Sequence, residues 1–154
     1  MIYKNEKLSK YSWFNLGGPA EVFFKPNSID DLKNFLLNSK NKKDKIFILG
    51  AGSNTLFRDA GFDGIIIKLG KAFTETKLLE NNKIEVGAAT LDKKLSDFAY
   101  QNSLSGLEFL SCIPGSIGGA ITMNSGCYDS DISKIFVSLK AINLDGKIKS
   151  FTKD

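Results

Sequence analysis

Along this chain, apolar and polar positions alternate between short strand-like blocks and stretches of helical period. Ala20-Glu21-Val22-Phe23-Phe24-Lys25 is rich in residues that favour strands and is closed by Pro26, so it predicts a strand ending in a turn. Ser28 then reads as a helix N-cap, with Asp31 three residues on. Ile29, Leu32, Phe35 and Leu36 recur at helical spacing over residues 29–39, which predicts one buried helix face. The continuous apolar run Ile46-Phe47-Ile48-Leu49 predicts a strand buried on both faces, and it leads straight into Gly50-Ala51-Gly52-Ser53-Asn54. A further strand is predicted over residues 64–69, after the turn-like Asp59-Ala60-Gly61-Phe62-Asp63. The gap between the two strands is too tight for a helix.

Residues 74–79 and 84–88, around Glu80-Asn81-Asn82-Lys83, predict a hairpin. Thr90 is placed to cap a second amphipathic helix, whose apolar stripe is Leu91, Leu95, Phe98 and Ala99 and which ends near Asn102-Ser103, ahead of Gly106. A second glycine loop, Ile113-Pro114-Gly115-Ser116-Ile117-Gly118-Gly119-Ala120, comes next. Two last strands, residues 135–143 and 147–151, are joined through Leu144-Asp145-Gly146. This order predicts an α+β fold of two small α+β lobes rather than regular βα alternation.

With 154 residues, 42% of them hydrophobic and 25% charged, the chain has the composition of an ordinary globular protein, large enough to bury a core without disulfides. Its 21 Lys and Arg outnumber its 17 Asp and Glu by four. The one dense basic run, residues 40–45, lacks the aromatic or arginine partners of a nucleic-acid patch and reads as a solvated loop, so no nucleic-acid partner is expected. Cys112 and Cys127 form neither a disulfide framework nor a zinc spacing, and they read as small buried thiols in a reducing compartment. No stretch is apolar enough for a membrane span, so a soluble cytoplasmic protein without a membrane partner is expected. The absence of histidine rules out Ser-His, Cys-His and His-metal chemistry within these residues, and no metal site is expected. Trp13, Phe14, Phe57 and Tyr128 could stack on a planar ligand, but core packing is the ordinary use of such aromatics.

The candidate chemistry lies in the glycine loops. Gly50-Ala51-Gly52 after a strand resembles the opening of a dinucleotide fingerprint, yet Thr55 stands where a third glycine belongs and no crossover helix follows, which argues against a Rossmann unit. Such a loop can still bind phosphate as a nest of backbone N–H groups, with Ser53 and Asn54 as added donors; it can equally be a tight turn in which glycine supplies positive φ. The second loop, with Gly115, Ser116, Gly118 and Gly119, offers more backbone freedom than a connection needs, which suits close approach of backbone to a ligand; a structural crossing within the fold is the alternative. Together the two loops point to a long, phosphate-bearing ligand.

Five segments carry a specific resemblance: Trp13-Phe14-Asn15-Leu16-Gly17-Gly18-Pro19-Ala20, Leu49-Gly50-Ala51-Gly52-Ser53-Asn54, Gly106-Leu107-Glu108-Phe109, residues 113–120, and Asn124-Ser125-Gly126-Cys127-Tyr128. Their order resembles that of the UDP-N-acetylenolpyruvoylglucosamine reductases, in the shorter second type. The resemblance implies a p-cresol methylhydroxylase-type FAD-binding domain over residues 1–154, incomplete because the substrate domain would follow. It implies FAD held non-covalently, by Gly50, Ala51, Gly52, Ser53 and Asn54 at the pyrophosphate. Pro114, Gly115, Ser116, Gly118 and Gly119 would lie toward the flavin, and Asn124, Ser125 and Gly126 nearer the isoalloxazine. NADPH would be the hydride donor and UDP-N-acetylglucosamine enolpyruvate the substrate, in a monomer serving peptidoglycan synthesis, and hence cell shape and division. The family's catalytic residues match no position here, so no catalytic residue is assigned and the chain alone is expected to be inactive. Where the family usually has arginine, two residues before the glycine pair, this sequence has Asn15 and loses a permanent cation. A non-catalytic FAD- or nucleotide-binding fragment, or another flavin oxidoreductase of the same fold, remains open on this reading.

Overall fold

The computed structural model describes residues 1–39 and 45–153. They form two compact units: residues 1–72 with 137–154, and residues 73–136.

The first unit is built on a four-stranded sheet of β1 (Ile2–Lys7), β2 (Pro19–Phe24), β4 (Phe62–Ile67) and β3 (Ile46–Ile48), in that spatial order. β1 runs antiparallel to β2, while β2, β4 and β3 are parallel, with Phe23 opposite Ile66 and Phe47 opposite Ile66 on either side of the central strand. Because side chains alternate across a sheet, the run Ile65-Ile66-Ile67 feeds two cores. Ile66 and Phe23 pack with Leu8, Ala20, Leu49 and Phe57 on one face. Ile65, Ile67 and Phe24 meet Leu32 and Leu36 of α1 (Ile29–Asn38) on the other, joined by Ile142. The predicted cap holds: Ser28 Oγ accepts from the Asp31 N–H at 3.0 Å, and the Asp31 carboxylate accepts from the Asn27 N–H at 2.8 Å.

The doubly buried strand is therefore β4, and the expectation for residues 46–49 is corrected. β3 is an edge strand, paired on one side only, and its Ile48 side chain is 58% exposed. Periodicity reads apolar runs but not the place of a strand in its sheet. No helix joins β3 to β4, as expected. The hairpin of β9 (Ser138–Ile142) and β10 (Ile148–Thr152) turns at Gly146, whose φ is +74°, while Asn143 Oδ1 accepts from the Asp145 and Lys147 amides.

The second unit contains the hairpin of β5 (Thr76–Leu79) and β6 (Lys83–Val86), α2 (Asp92–Gln101), α3 (Ile117–Met123), the short pair β7 (Gly126–Cys127) and β8 (Ser130–Asp131), and α4 (Ile132–Ile135). Its core is Leu95, Phe109, Leu110, Ile117, Ala120 and Ile132. Four expectations change here. Leu91, not Thr90, occupies the N-cap of α2 and makes no side-chain cap. Leu91 is exposed, and the buried stripe runs through Asp92, Leu95 and Ala99 instead. The glycine-rich stretch is loop only as far as Ser116; burial of Ile117 and Ala120 carries the rest into α3 against the low helix propensity of Gly118 and Gly119. α4 likewise takes up Ile135, expected at the start of the last strand pair.

Candidate functional site

In the first unit, the parallel strands β2, β4 and β3 end on the same side of the sheet, and the loop Gly50-Ala51-Gly52-Ser53-Asn54 follows the last of them. Leu49 is the last anchored residue; its amide donates to the Ile67 carbonyl at 2.9 Å. A strap over residues 12–15 is tied to the loop: the Trp13 N–H donates to the Gly52 carbonyl at 3.1 Å, and Ser12 Oγ to the Thr55 carbonyl at 3.1 Å. The Lys68 ammonium donates to the Gly50 carbonyl. Among the described residues, the amides of Ala51, Gly52, Ser53 and Asn54 donate to nothing in the protein. Four consecutive unengaged donors at the carboxyl end of a parallel strand suit an anion's oxygens.

Gly52 itself serves the strap. Its φ is +85°, and a Cβ there would stand 1.8 Å from the Tyr11 carbonyl oxygen, so glycine is required by the backbone crossing whether or not a ligand lies beside it. Gly18 has a similar constraint: a Cβ would meet the Asp59 carbonyl oxygen at 2.0 Å.

In the second unit, Pro114-Gly115-Ser116 leads into α3, and much of its backbone is already engaged. The Ile117 amide donates to the Thr90 carbonyl at 2.9 Å and the Gly118 amide to the Ala88 carbonyl at 2.8 Å. A Cβ on Gly115 would lie 2.3 Å from an Asp92 carboxylate oxygen, and one on Gly118 would lie 3.1 Å from the Ala88 carbonyl oxygen. Gly119 is the exception: a Cβ there would make only an ordinary 3.5 Å contact with Ser116 Oγ. Asn124 ends α3 in the left-handed region at φ +44°, its Oδ1 accepting from the Ser133 amide at 2.9 Å. The Ser125 amide donates to the Ala120 carbonyl, and Gly126 lets β7 approach Ser130. Of the residues expected to face a ligand, Ala51, Ser53, Asn54, Pro114 and Gly119 are among those that the fold does not otherwise account for.

Sequence reasoning passed over two groups. Asp92 is completely buried with neither carboxylate oxygen hydrogen-bonded, and the hydroxyl of buried Thr90 is also without a partner. Burial pushes the Asp92 carboxyl up to about 6. Lys68 is the second: burial and the nearby Lys25 ammonium push its pKa down. A carboxylate on an otherwise apolar helix stripe was the available signal for the first; a lysine closing an isoleucine run was the signal for the second.

The aromatic expectation holds only for Phe57. Trp13, Phe14 and Tyr128 are exposed, so core packing does not explain them. Cys112 is exposed rather than buried, while Cys127 donates to the Phe109 carbonyl at 3.2 Å. Of the basic run, residues 40–44 lie outside the described residues, and Lys45 pairs with Asp63. Among the described residues there is no group of three or more potential metal ligands, and no helix is long and apolar enough to cross a membrane.

Residues 20–152 match the model of a family described as the FAD binding domain. A UDP-N-acetylenolpyruvoylglucosamine reductase from Pelagibacter ubique is 50% identical over 141 residues, covering 92% of this chain and 46% of that protein. The chain spans about half the length of the curated relatives it matches. The crystal structure of the enzyme of that name from Thermus caldophilus superposes with a TM-score of 0.81 at 28% identity, over 99% of this chain and 52% of that one. p-Cresol methylhydroxylase shares the fold, with a TM-score of 0.61 at 15% identity over 88% of this chain and 28% of that one.

Proposed function

This chain belongs to the FAD binding domain family, and from that premise we propose that it is the cofactor-binding portion of a UDP-N-acetylenolpyruvoylglucosamine reductase, which holds FAD without a covalent bond. The observation that carries the reading is the run of unengaged amides from Ala51 to Asn54, at the carboxyl end of a parallel strand. On this reading Gly50, Ala51, Gly52, Ser53 and Asn54 hold the pyrophosphate. Gly50 and Gly52 shape the turn, and Ser53 and Asn54 add side-chain donors. In the second unit, Pro114, Gly115, Ser116, Gly118 and Gly119 face the cofactor beyond the pyrophosphate, with Gly119 the residue of closest approach because no other packing occupies its open side. Asn124, Ser125 and Gly126 lie nearer the isoalloxazine. Exposed Trp13 and Phe14, on the strap tied to Gly52, are available to cover a planar ring.

Bound FAD supplies the hydride transfer, from NADPH to the enolpyruvyl group of UDP-N-acetylglucosamine enolpyruvate. These residues bind and orient the cofactor; no group among them is assigned to protonate the product or to neutralise the substrate carboxylate. The complete enzyme on this reading is a cytoplasmic monomer of peptidoglycan synthesis, and this chain by itself does not turn over. Titration of the purified chain with FAD should quench flavin fluorescence and shift its absorbance bands, and acid precipitation should release the flavin to the supernatant. Absence of any band shift at saturating FAD would sink the reading.

A further inference from the structure

Lys25 directly follows β2 and Lys68 directly follows β4, so the carboxyl ends of two neighbouring parallel strands each carry an ammonium group. The Lys68 amide is itself tied to the Phe24 carbonyl at 3.0 Å, which fixes the two residues side by side. Both line a cavity of about 330 Å³ together with Lys71. The half-buried Lys68 ammonium spends one hydrogen on the Gly50 carbonyl, and an ammonium has three to give. Lys25 is packed over the Tyr11 ring, 4.8 Å from its centroid.

We propose that Lys68, assisted by Lys25, is the cationic anchor of a diphosphate ester held at the Gly50–Asn54 loop, a role that rests on the cofactor reading above. Three observations converge on it. Lys68 touches the loop whose next four amides are unengaged. The surroundings oppose its charge, through burial and through Lys25, whose own carboxylate neighbour is Glu6; an anion beside Lys68 would relieve both. Asn15 leaves the strap without a fixed cation, so the positive charge that a diphosphate needs must come from another element, and β4 delivers it.

Flavin fluorescence and calorimetric titrations of the full chain test this, with FAD, UDP and phosphate-free riboflavin as ligands at several salt concentrations. If FAD is the source of the diphosphate, Lys68→Met should weaken FAD by about tenfold to a hundredfold and flatten its salt dependence. Riboflavin affinity should be unchanged, and Lys68→Arg should restore most of the FAD affinity. Lys25→Gln, which does not disturb the Gly50 contact, should lower the salt slope by a smaller amount and covers the case in which Lys68→Met fails to fold. Equal losses for FAD and riboflavin, or an unchanged FAD affinity, would overturn the proposal by reducing Lys68 to a packing role. If the parent chain binds no FAD, the cofactor reading falls. The anchor then survives only if UDP binds in a Lys68-dependent way, and is overturned if it does not.

Discussion

Asp92 is the residue whose protonation should be felt by the whole second unit. Its carboxyl titrates near 6 because folding strips it of water and gives neither oxygen a donor. The folded state therefore binds this proton more tightly than the unfolded chain does. The associated stability is present in full below the ordinary value of 3.8 and is lost as pH rises through about 6. A shift of this size corresponds to roughly 2–3 kcal/mol. Asp92→Asn, which cannot ionise, should thus melt above the parent at pH 7.5, with the gap closing towards pH 4; parallel melting curves for the two proteins would contradict the assignment. Gly119 offers a second test at this scale. Ala at this position meets only an ordinary contact and favours the helix, so Gly119→Ala should stabilise the unliganded chain by about 0.5–1 kcal/mol. A simultaneous loss of FAD affinity would mean that the cofactor passes over that glycine; unchanged affinity would remove Gly119 from the site. Gly52→Ala is the converse, since φ +85° and the Tyr11 carbonyl both oppose a side chain. It should lower the melting temperature of the unliganded chain as well as the affinity, and a normal melting temperature would show that the strap yields.

Among the elements, α1 was legible because its signals are local: a serine cap, an aspartate three residues on, and an apolar stripe that meets the sheet. Ser28→Ala should cost about 1 kcal/mol, read as a shift in the denaturant midpoint at constant slope. A cost near zero would mean that the Asp31–Asn27 bond alone suffices. The β5–β6 hairpin was legible for the same reason, its turn carrying Asn81 and Asn82, both at positive φ. What sequence could not give depends on partners far along the chain. β1 is exposed at nearly every position and has no apolar pattern; it exists because β2 offers it a ladder from Ile2 opposite Phe24 to Lys7 opposite Pro19. The edge position of β3, and the fact that β4 is the doubly buried strand, are likewise decided by pairing. In the second unit, the burial of Ile117 and Ala120 overrode glycine to make α3, and Thr90 falls one residue before the N-cap of α2, its carbonyl paired with Ile117 and its hydroxyl unpartnered. The same division holds at the candidate site. Glycine spacing identified both loops, but only the three-dimensional arrangement separates Gly52, Gly115, Gly118 and Gly126, which protein backbone or side chains crowd, from Gly119, which they do not.

At the scale of the molecule, the glycine loops are divided between the units, one in each. Ligand that binds only the folded chain must stabilise it by mass action, by about 2.7 kcal/mol at a hundredfold excess over Kd. A melting temperature that climbs with FAD concentration is therefore expected, and a temperature independent of FAD would contradict binding to the native state. The first unit is also discontinuous: Ile142, from β9, packs into the core that α1 shares with Phe24 and Ile67, and Gly146 lies against Leu37. Removing residues 137–154 should accordingly loosen the first unit and leave the second, residues 73–136, with its own core intact. During synthesis this arrangement sets an order. The ribosome delivers every residue of the later unit before it delivers the strand pair that closes the earlier one, so residues 1–72 must wait unfinished while an inserted neighbour folds. Nascent chains arrested once residue 136 is clear of the exit tunnel should resist protease over the second unit while the first is still being cut.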